Sequence, residues 1–366
     1  MSPKVIVVGG GIVGAATAWR LAGAGAEVTI LESGKFGQGA SSASFSWLNS
    51  SNKSPLEYHA LNVTGMNEYN RLRFELAEAS WLHRCGHVEW YADEGGLHRL
   101  REKIARLRGW GYAAELLPIR ELLPLEPDLV APPLINEFAY YPAEGYVDPL
   151  PLIGQLIGSA RDSGASALED IQVTGLLLDG TRVTGVQTAT GDHLNADIVV
   201  SCTGSNTAGF LRHAGLHVPM APTAGLVAIT APSAVRLRSV HHDELMHIRP
   251  DGAGRIMMRH TDFDEQVQPG QPVADRLLKQ LHDRVATVLP GLVGVPVESA
   301  RVAIRPIPGD THSVIGPAPG VEGLYLIVTH SAVTLGPLLA RLAAGEMLGG
   351  QPEPLLEPFR PDRLIV

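Results

Sequence analysis

The stretch KVIVVGGGIVGAATAWRLAGAGAEVTILES, residues 4–33, leaves few folds open. Val5 to Val8 form a continuous apolar run, as in a strand covered on both faces, and it ends in Gly9, Gly11 and Gly14 with the spacing G-x-G-x-x-G. A helix is predicted through Ala15, Ala18, Leu21 and Ala22 and is stopped by Gly23 and Gly25. A second strand from Val28 to Leu31 closes on the acid Glu32. The glycines differ in what they permit. Gly9 allows the tight turn, Gly11 the close approach of a pyrophosphate, and Gly14 the packing of helix on strand. Ile12 and Val13 open the helix, whose partial positive charge faces the phosphates, and Glu32 offers a carboxylate to a ribose diol. A glycine motif alone is weak, but strand, helix, second strand and acid in register predict a dinucleotide site on an α/β fold.

The next residues choose between dinucleotides. In SGKFGQGASSASFSW, glycines at 34, 37 and 39 carry Ser33, Ala40, Ser41, Ser42, Ser44 and Ser46 directly after the ribose-binding acid. Hydroxyls and backbone N–H groups there suit a longer, bent cofactor, which points to FAD. Phe45 and Trp47 argue against a simple flexible linker.

Composition bounds the rest. A net charge of -9 speaks against nucleic acid as the main partner. With only Cys85 and Cys202 in 366 residues, a disulfide framework is not expected, and a reducing cytoplasm fits. No apolar run reaches membrane-spanning length and no signal peptide is legible at the start, so neither membrane nor export is expected.

Helices are predicted from Pro55 towards Leu76, from Leu97 to Trp110, from Leu150 to Ser163 and from Ala274 to Leu289. Asp179-Gly180 predicts a hairpin turn, and Ile198 to Ser201 a buried strand ending at Thr203-Gly204, a second approach to the cofactor. The segments around Leu226 and Met257 read as strands. The last helix is expected from Pro337 to Leu348, with proline in its first turn and the loop N–H groups of Ser331 to Gly336 aimed at the flavin.

The stretch VAIRPIPGDTHSVIGP, residues 302–317, poses a separate question. Arg305 ends an apolar run and needs an anion, either a carboxylate of the protein or one from a ligand. His247 lies in alternation with Leu245 and Arg249, equally suited to packing and to ligand contact. His241, His242 and His260 lack a metal-ligand spacing, and no metal is expected.

These pieces in this order resemble the D-amino acid oxidase family of FAD enzymes, particularly its glycine oxidase and sarcosine oxidase branches. The carrying motifs are the opening glycines with Glu32, GASSASFSW, Val173 in IQVTG, ADIVVSCTG, and IRPIPGDTHSVIGP with GLYLIVTHSAVTLGP. The resemblance implies an FAD-binding Rossmann-like domain from residues 1–54, 145–220 and 300–366, interleaved with an antiparallel-sheet substrate domain from 55–144 and 221–299. It implies that Gly9, Gly11, Ile12, Val13, Gly14, Glu32, Ser33, Ala40, Ser41, Ser42, Phe45, Ser46, Trp47, Val173, Thr203, Gly204, His330, Ser331, Ala332, Val333, Thr334, Leu335 and Gly336 hold FAD. It also implies hydride transfer from the substrate Cα to flavin N5, imine hydrolysis and reoxidation by oxygen. Arg305 would clamp the substrate carboxylate bidentately, with His247 beside it.

Three departures narrow the activity. No cysteine stands near Arg305 to attach a flavin, so the FAD is expected to be noncovalent. His247 stands where glycine oxidases have a tyrosine, and Ala332 where they have an arginine. A small amino acid or N-substituted glycine is expected as substrate. One form of the reaction removes the carboxymethyl group of an N-carboxymethyl amino acid as glyoxylate, as in antibiotic pathways. The alternatives are a D-amino acid dehydrogenase passing electrons to a quinone, an RNA-modifying amine-oxidising module, and a non-catalytic flavin binder. The oligomeric state stays open.

Overall fold

The computed structural model describes residues 2–76 and 78–365. Its first sheet has six strands in the order Val314–Pro317, Leu324–Val328, Ile198–Ser201, Lys4–Val8, Glu27–Leu31, Ser166–Leu168. All pair in parallel except the edge strand Val314–Pro317. The period-2 alternation of the Lys4–Val8 strand sends Val5 and Val7 into one core and Ile6 and Val8 into the other, which is why the run is apolar throughout. One face is covered by the helices Ile12–Gly23, Pro149–Asp162 and Ala332–Met347, which share a core with Leu56–Glu75. The predicted hairpin forms between Val173–Asp179 and Arg182–Thr188, with Gly180 at a φ of 59°.

The second large sheet has eight strands in the order Val297–Arg305, Thr223–Thr230, Ile256–Arg259, His247–Pro250, Val240–His242, His87–Glu89, Glu137–Tyr141, Glu115–Pro118. It is antiparallel apart from the parallel join between Val240–His242 and His87–Glu89. The amphipathic helix Asp275–Val288 buries Leu277, Leu281, Val285 and Val288 against it. Two elements lie across the expected division. The helix Leu56–Glu75 packs its Tyr58, Leu61, Met66 and Tyr69 with the parallel sheet's helices, and the Val297–Arg305 strand hydrogen-bonds into the eight-stranded sheet.

The last helix starts earlier than the sequence suggests. It runs from Ala332 to Met347 with Pro337 inside it, not in its first turn. A proline there removes the bond that would reach the carbonyl four residues back, that of Val333. The Tyr69 hydroxyl donates to that carbonyl instead. Gly65 permits this close approach, since a Cβ there would lie 2.6 Å from the Thr334 carbonyl oxygen. The N–H of Leu335 already bonds to Ser331, so of the expected loop donors those from Ala332 to Thr334 remain at the helix start. No helix among the described residues is long and apolar enough to cross a membrane.

Candidate active site

Two connected cavities meet where the sheets join. The first, about 860 Å³, is a cleft along the ends of the parallel strands, lined by Gly9, Gly11, Ile12, Val13, Glu32, Ser33, Ala40, Ser41, Val173, Thr203, Gly204 and Ala332 among the residues expected there. Ligands bind at this edge of doubly wound sheets because helix N-termini and strand ends open onto it. The local geometry of the glycines suits the roles expected of them. Gly9 has a φ of 105°, and a Cβ on it would lie 2.4 Å from the Cys202 carbonyl oxygen. A Cβ on Gly14 would lie 1.8 Å from the carbonyl of Gly9, so Gly14 serves packing and does not line the cleft. Gly11 meets only the Ser41 hydroxyl, at 3.3 Å, which leaves its approach open. Glu32 is fixed by the N–H of Gly10 at 2.7 Å and of Gly34 at 2.9 Å.

The second cavity, about 280 Å³, shares Ile12, Ala40, Ser41, Pro306 and Ala332 with the first and reaches between the sheets. Phe45, Ser46, Trp47, His247, Arg305, His330, Ser331, Val333 and Thr334 line it, joined by Lys53 and Arg259. A long cleft of backbone and hydroxyls running into an aromatic and cationic chamber suits an elongated dinucleotide with a ring at its end, so these residues fit FAD. Three other expected contacts lie outside both cavities. Ser42 turns its hydroxyl onto the carbonyls of Gln38 and Gly39, Leu335 is fully buried in the core, and Gly336 sits under Ile12 and Val13. The cause is the early helix start, which rotates Leu335 and Gly336 inward.

Arg305 has a partner within the protein. Its Nη2 donates to Asp264 Oδ2 at 2.8 Å and to the carbonyl of Ala224 at 2.9 Å, which uses both hydrogens of that nitrogen. Both two-pronged edges of a guanidinium include this nitrogen, so the expected bidentate clamp is not free in this arrangement. Nη1 makes no hydrogen bond among the described residues, and Nε is buried without a partner. Asp264 is itself buried and also accepts from Arg259 Nη2 at 3.1 Å and from the N–H of Leu226 at 3.0 Å. One carboxylate therefore serves two guanidiniums.

Arg259 fixes His247 as well. Its Nη1 stands 3.2 Å from His247 Nδ1, and a guanidinium can only donate, so Nδ1 accepts. The neutral ring then carries its hydrogen on Nε2. Burial, followed by the proximity of His242 and Arg259, holds the pKa of His247 well below its ordinary value. His247 is thus a neutral donor with no basic nitrogen to spare, and the role of proton acceptor does not suit it. Leu245, expected on its face, lies before the strand and is exposed. His330 opens onto the cavity with part of its surface exposed. Partial loss of solvent, then the charges of Lys53, Arg305 and Arg259, lowers its pKa and favours the neutral ring.

The histidines considered for a metal disperse. His241 pairs with Asp243 at 3.1 Å and His260 with Asp262 at 3.3 Å. His242 instead meets His87 and Glu89, with ligand-type atoms within 4.8 Å of one another. Glu89 already accepts from Lys103 at 2.7 Å, Tyr141 at 2.8 Å and Tyr91 at 2.9 Å, so an ammonium occupies the carboxylate a metal ion would need.

Sequence reasoning missed Lys53, Arg259 and Asp264. Arg259 had a signal, a cation closing the apolar run Ile256 to Met258, as Arg305 closes its own.

A parallel dinucleotide sheet joined to a large antiparallel sheet, with the chamber between them, defines a two-part flavoprotein oxidoreductase. The sequence profile of the FAD dependent oxidoreductase family (DAO) matches residues 4–346, and the chain belongs to that family. It is 27% identical over 372 residues to a glycine oxidase of Pseudomonas aeruginosa, covering 98% of each. A glycine oxidase of Geobacillus kaustophilus is 28% identical over 355 residues, covering 93% of this chain and 91% of that one. The crystal structure of glycine oxidase from Geobacillus kaustophilus superposes with a TM-score of 0.88 at 25% identity, covering 98% of each chain. The protein is an FAD-dependent oxidoreductase on the glycine oxidase branch.

Proposed function

We propose that the chain oxidises the C–N bond of a small amino acid or N-substituted glycine whose carboxylate is anchored by Arg305. The observation that carries this reading is the Nη1 of Arg305, which makes no hydrogen bond among the described residues, in a residue that lines the second cavity beside His247, Lys53 and Arg259. FAD, held by these two cavities, would supply the acceptor for the hydride on the carbon beside nitrogen, with oxygen as the final oxidant and hydrogen peroxide as its product. The residues of this chain hold and orient the substrate. Arg305 contributes a charge-assisted bond from Nη1, and Asp264 fixes the guanidinium that makes it. His247 donates from Nε2 and takes no proton. The substrate nitrogen loses its proton to water, water adds to the imine, and the C–N bond breaks to give an amine and an oxo acid. For an N-carboxymethyl amino acid that oxo acid is glyoxylate.

The FAD is noncovalent in this reading. Burial pushes the Cys202 thiol up to about 12 and that of Cys85 up to about 11, so neither offers a thiolate for attachment. The FAD part comprises the six-stranded sheet together with the Leu56–Glu75 helix, and the substrate part comprises the eight-stranded sheet including Val297–Arg305. The setting is cytoplasmic.

The test is anaerobic flavin bleaching across glycine, sarcosine, D-amino acids and N-carboxymethyl amino acids. Bleaching by an N-substituted glycine, followed by recovery in air, is expected. Bleaching by D-amino acids with recovery only on adding a quinone would replace the oxidase with a dehydrogenase. No bleaching at all would leave a flavin binder without catalysis.

A further inference from the structure

The second cavity carries more positive charge than one substrate carboxylate can balance. Lys53, Arg259 and Arg305 line it, and no aspartate or glutamate does. Asp264, behind the wall, contacts both arginines and offsets one of the three charges. Two remain. The oxidised isoalloxazine ring of FAD is uncharged, and the phosphates belong to the other cavity beside Gly11. Cations facing a small chamber are costly unless anions meet them.

The three are not equivalent. Both terminal nitrogens of Arg259 are engaged, with His247 and Asp264, so Arg259 acts as a brace. Arg305 keeps Nη1, while its Nε is buried. Lys53 donates to Ser331 Oγ at 2.9 Å, and no carboxylate among the described residues lies within 4.0 Å of its Nζ. None of its three N–H donors therefore meets a charged acceptor, and two have no hydrogen-bond acceptor among the described residues. Ser331 is held in turn by the Tyr58 hydroxyl at 2.9 Å, so the ammonium stands at a fixed place in the wall. Lys53, Arg259, Arg305 and His330 all line this one cavity.

We infer that the substrate carries two anionic groups, one anchored by Arg305 and the second by Lys53. This rests on the reading of Arg305 as the carboxylate anchor, and it selects within that reading. N-carboxymethyl amino acids, which hold a carboxylate on each side of the nitrogen, are favoured, and glycine and sarcosine are disfavoured. Geometry supports the need for a second contact. With both Nη2 hydrogens of Arg305 spent inside the protein, one guanidinium does not by itself grip a carboxylate on two prongs.

The experiment is calorimetric binding of two unreactive acids to the FAD-loaded protein. Glutarate mimics a dicarboxylate with a methylene in place of the amine, and butyrate has one carboxylate only. Glutarate is expected to bind about 10- to 100-fold more tightly, the worth of one further charge-assisted bond. Lys53→Gln should remove that preference by weakening glutarate far more than butyrate, and Arg305→Leu should weaken both acids. Equal binding of the two acids by the parent overturns the second anion site while the Arg305 anchor stands. A preference that survives Lys53→Gln overturns it too, as does a variant that loses FAD affinity but keeps the preference. If Arg305→Leu changes neither acid, or the parent binds neither, the anchor itself falls.

Discussion

The cleft beside Gly9 and the cavity beside Arg305 are walled differently. One continuous stretch of the cleft, residues 8–41, brings its glycines, small residues and backbone, and side chains such as Gln172, Phe210, Arg212 and His213 complete the wall. The cavity is side chains, and its charged members come from segments around residues 53, 259 and 305, with Asp264 behind them. A ligand common to a whole family can be met by backbone, whose donors do not change with mutation. A ligand that differs between relatives must be met by side chains, each needing a partner to hold it while the site is empty. Asp264 is that partner for Arg259 and Arg305 at once, so the cavity's stability and its selectivity depend on the same carboxylate.

The largest effect should come from Asp264→Asn. It leaves two guanidiniums without their shared counter-ion in a region where Asp264 is 5% exposed. Breaking a buried pair costs about 3–5 kcal/mol. Urea unfolding should show a midpoint lowered accordingly, and a second change, Arg259→Met, should recover part of the loss by removing one stranded cation. An unchanged midpoint would mean the carboxylate does not brace the arginines.

Arg305→Leu comes next. The parent arrangement offers a charge-assisted bond from Nη1, worth about 1.5–3 kcal/mol, which is roughly one to two orders of magnitude in kcat/KM. FAD content should be unaffected, because the cleft motif is untouched. The decisive form is a double cycle with the acid substrate and its uncharged amide. Additive losses would show that Arg305 serves only Asp264, and strong coupling would show that it meets the substrate.

The same contrast decides what was legible in the sequence. The cleft was, because its glycines, helix and acid lie within thirty-odd residues and each follows from local geometry. The cavity was legible only in part. Arg305 signalled the need for an anion, but its counter-ion lies 41 residues away in the 3₁₀ turn Thr261–Gln266, and nothing in the local pattern connects them. The start of the last helix was misplaced for a related reason. Pro337 is tolerated inside it because Tyr69, 264 residues from Val333, replaces the missing donor. Lys53 lay in a polar stretch with no periodicity, and only the fold sets it against Ser331.

On the cleft side, Glu32→Ala should reduce FAD affinity by about 1.5–3 kcal/mol while turnover per bound flavin stays near the parent value. Glu32 lines the far end of the cleft and is absent from the cavity wall, so its loss should not reach the chemistry. Titration of apoprotein with FAD measures the first quantity and rapid reduction of the flavin-loaded fraction the second. Equal FAD affinity would remove Glu32 from the site. A slower reduction would mean that cleft and cavity are coupled more closely than their walls suggest.

The smallest effect probes the element that both regions share, the start of the Ala332–Met347 helix, where Ala332 lines both cavities. Tyr69→Phe keeps the buried ring and removes the hydroxyl that donates to the Val333 carbonyl. An unmet buried carbonyl costs about 1–3 kcal/mol, and the retained ring packing argues for the lower end. Thermal unfolding should show that modest loss. Because Val333 and Thr334 line only the second cavity, acid binding there should weaken more than FAD binding. The opposite order, FAD weakened and the acid unaffected, would assign the helix start to the cleft and break the division between a backbone-built and a side-chain-built site. A variant as stable as the parent would show that Pro337 needs no such donor, and that the helix begins at Ala332 for reasons other than Tyr69.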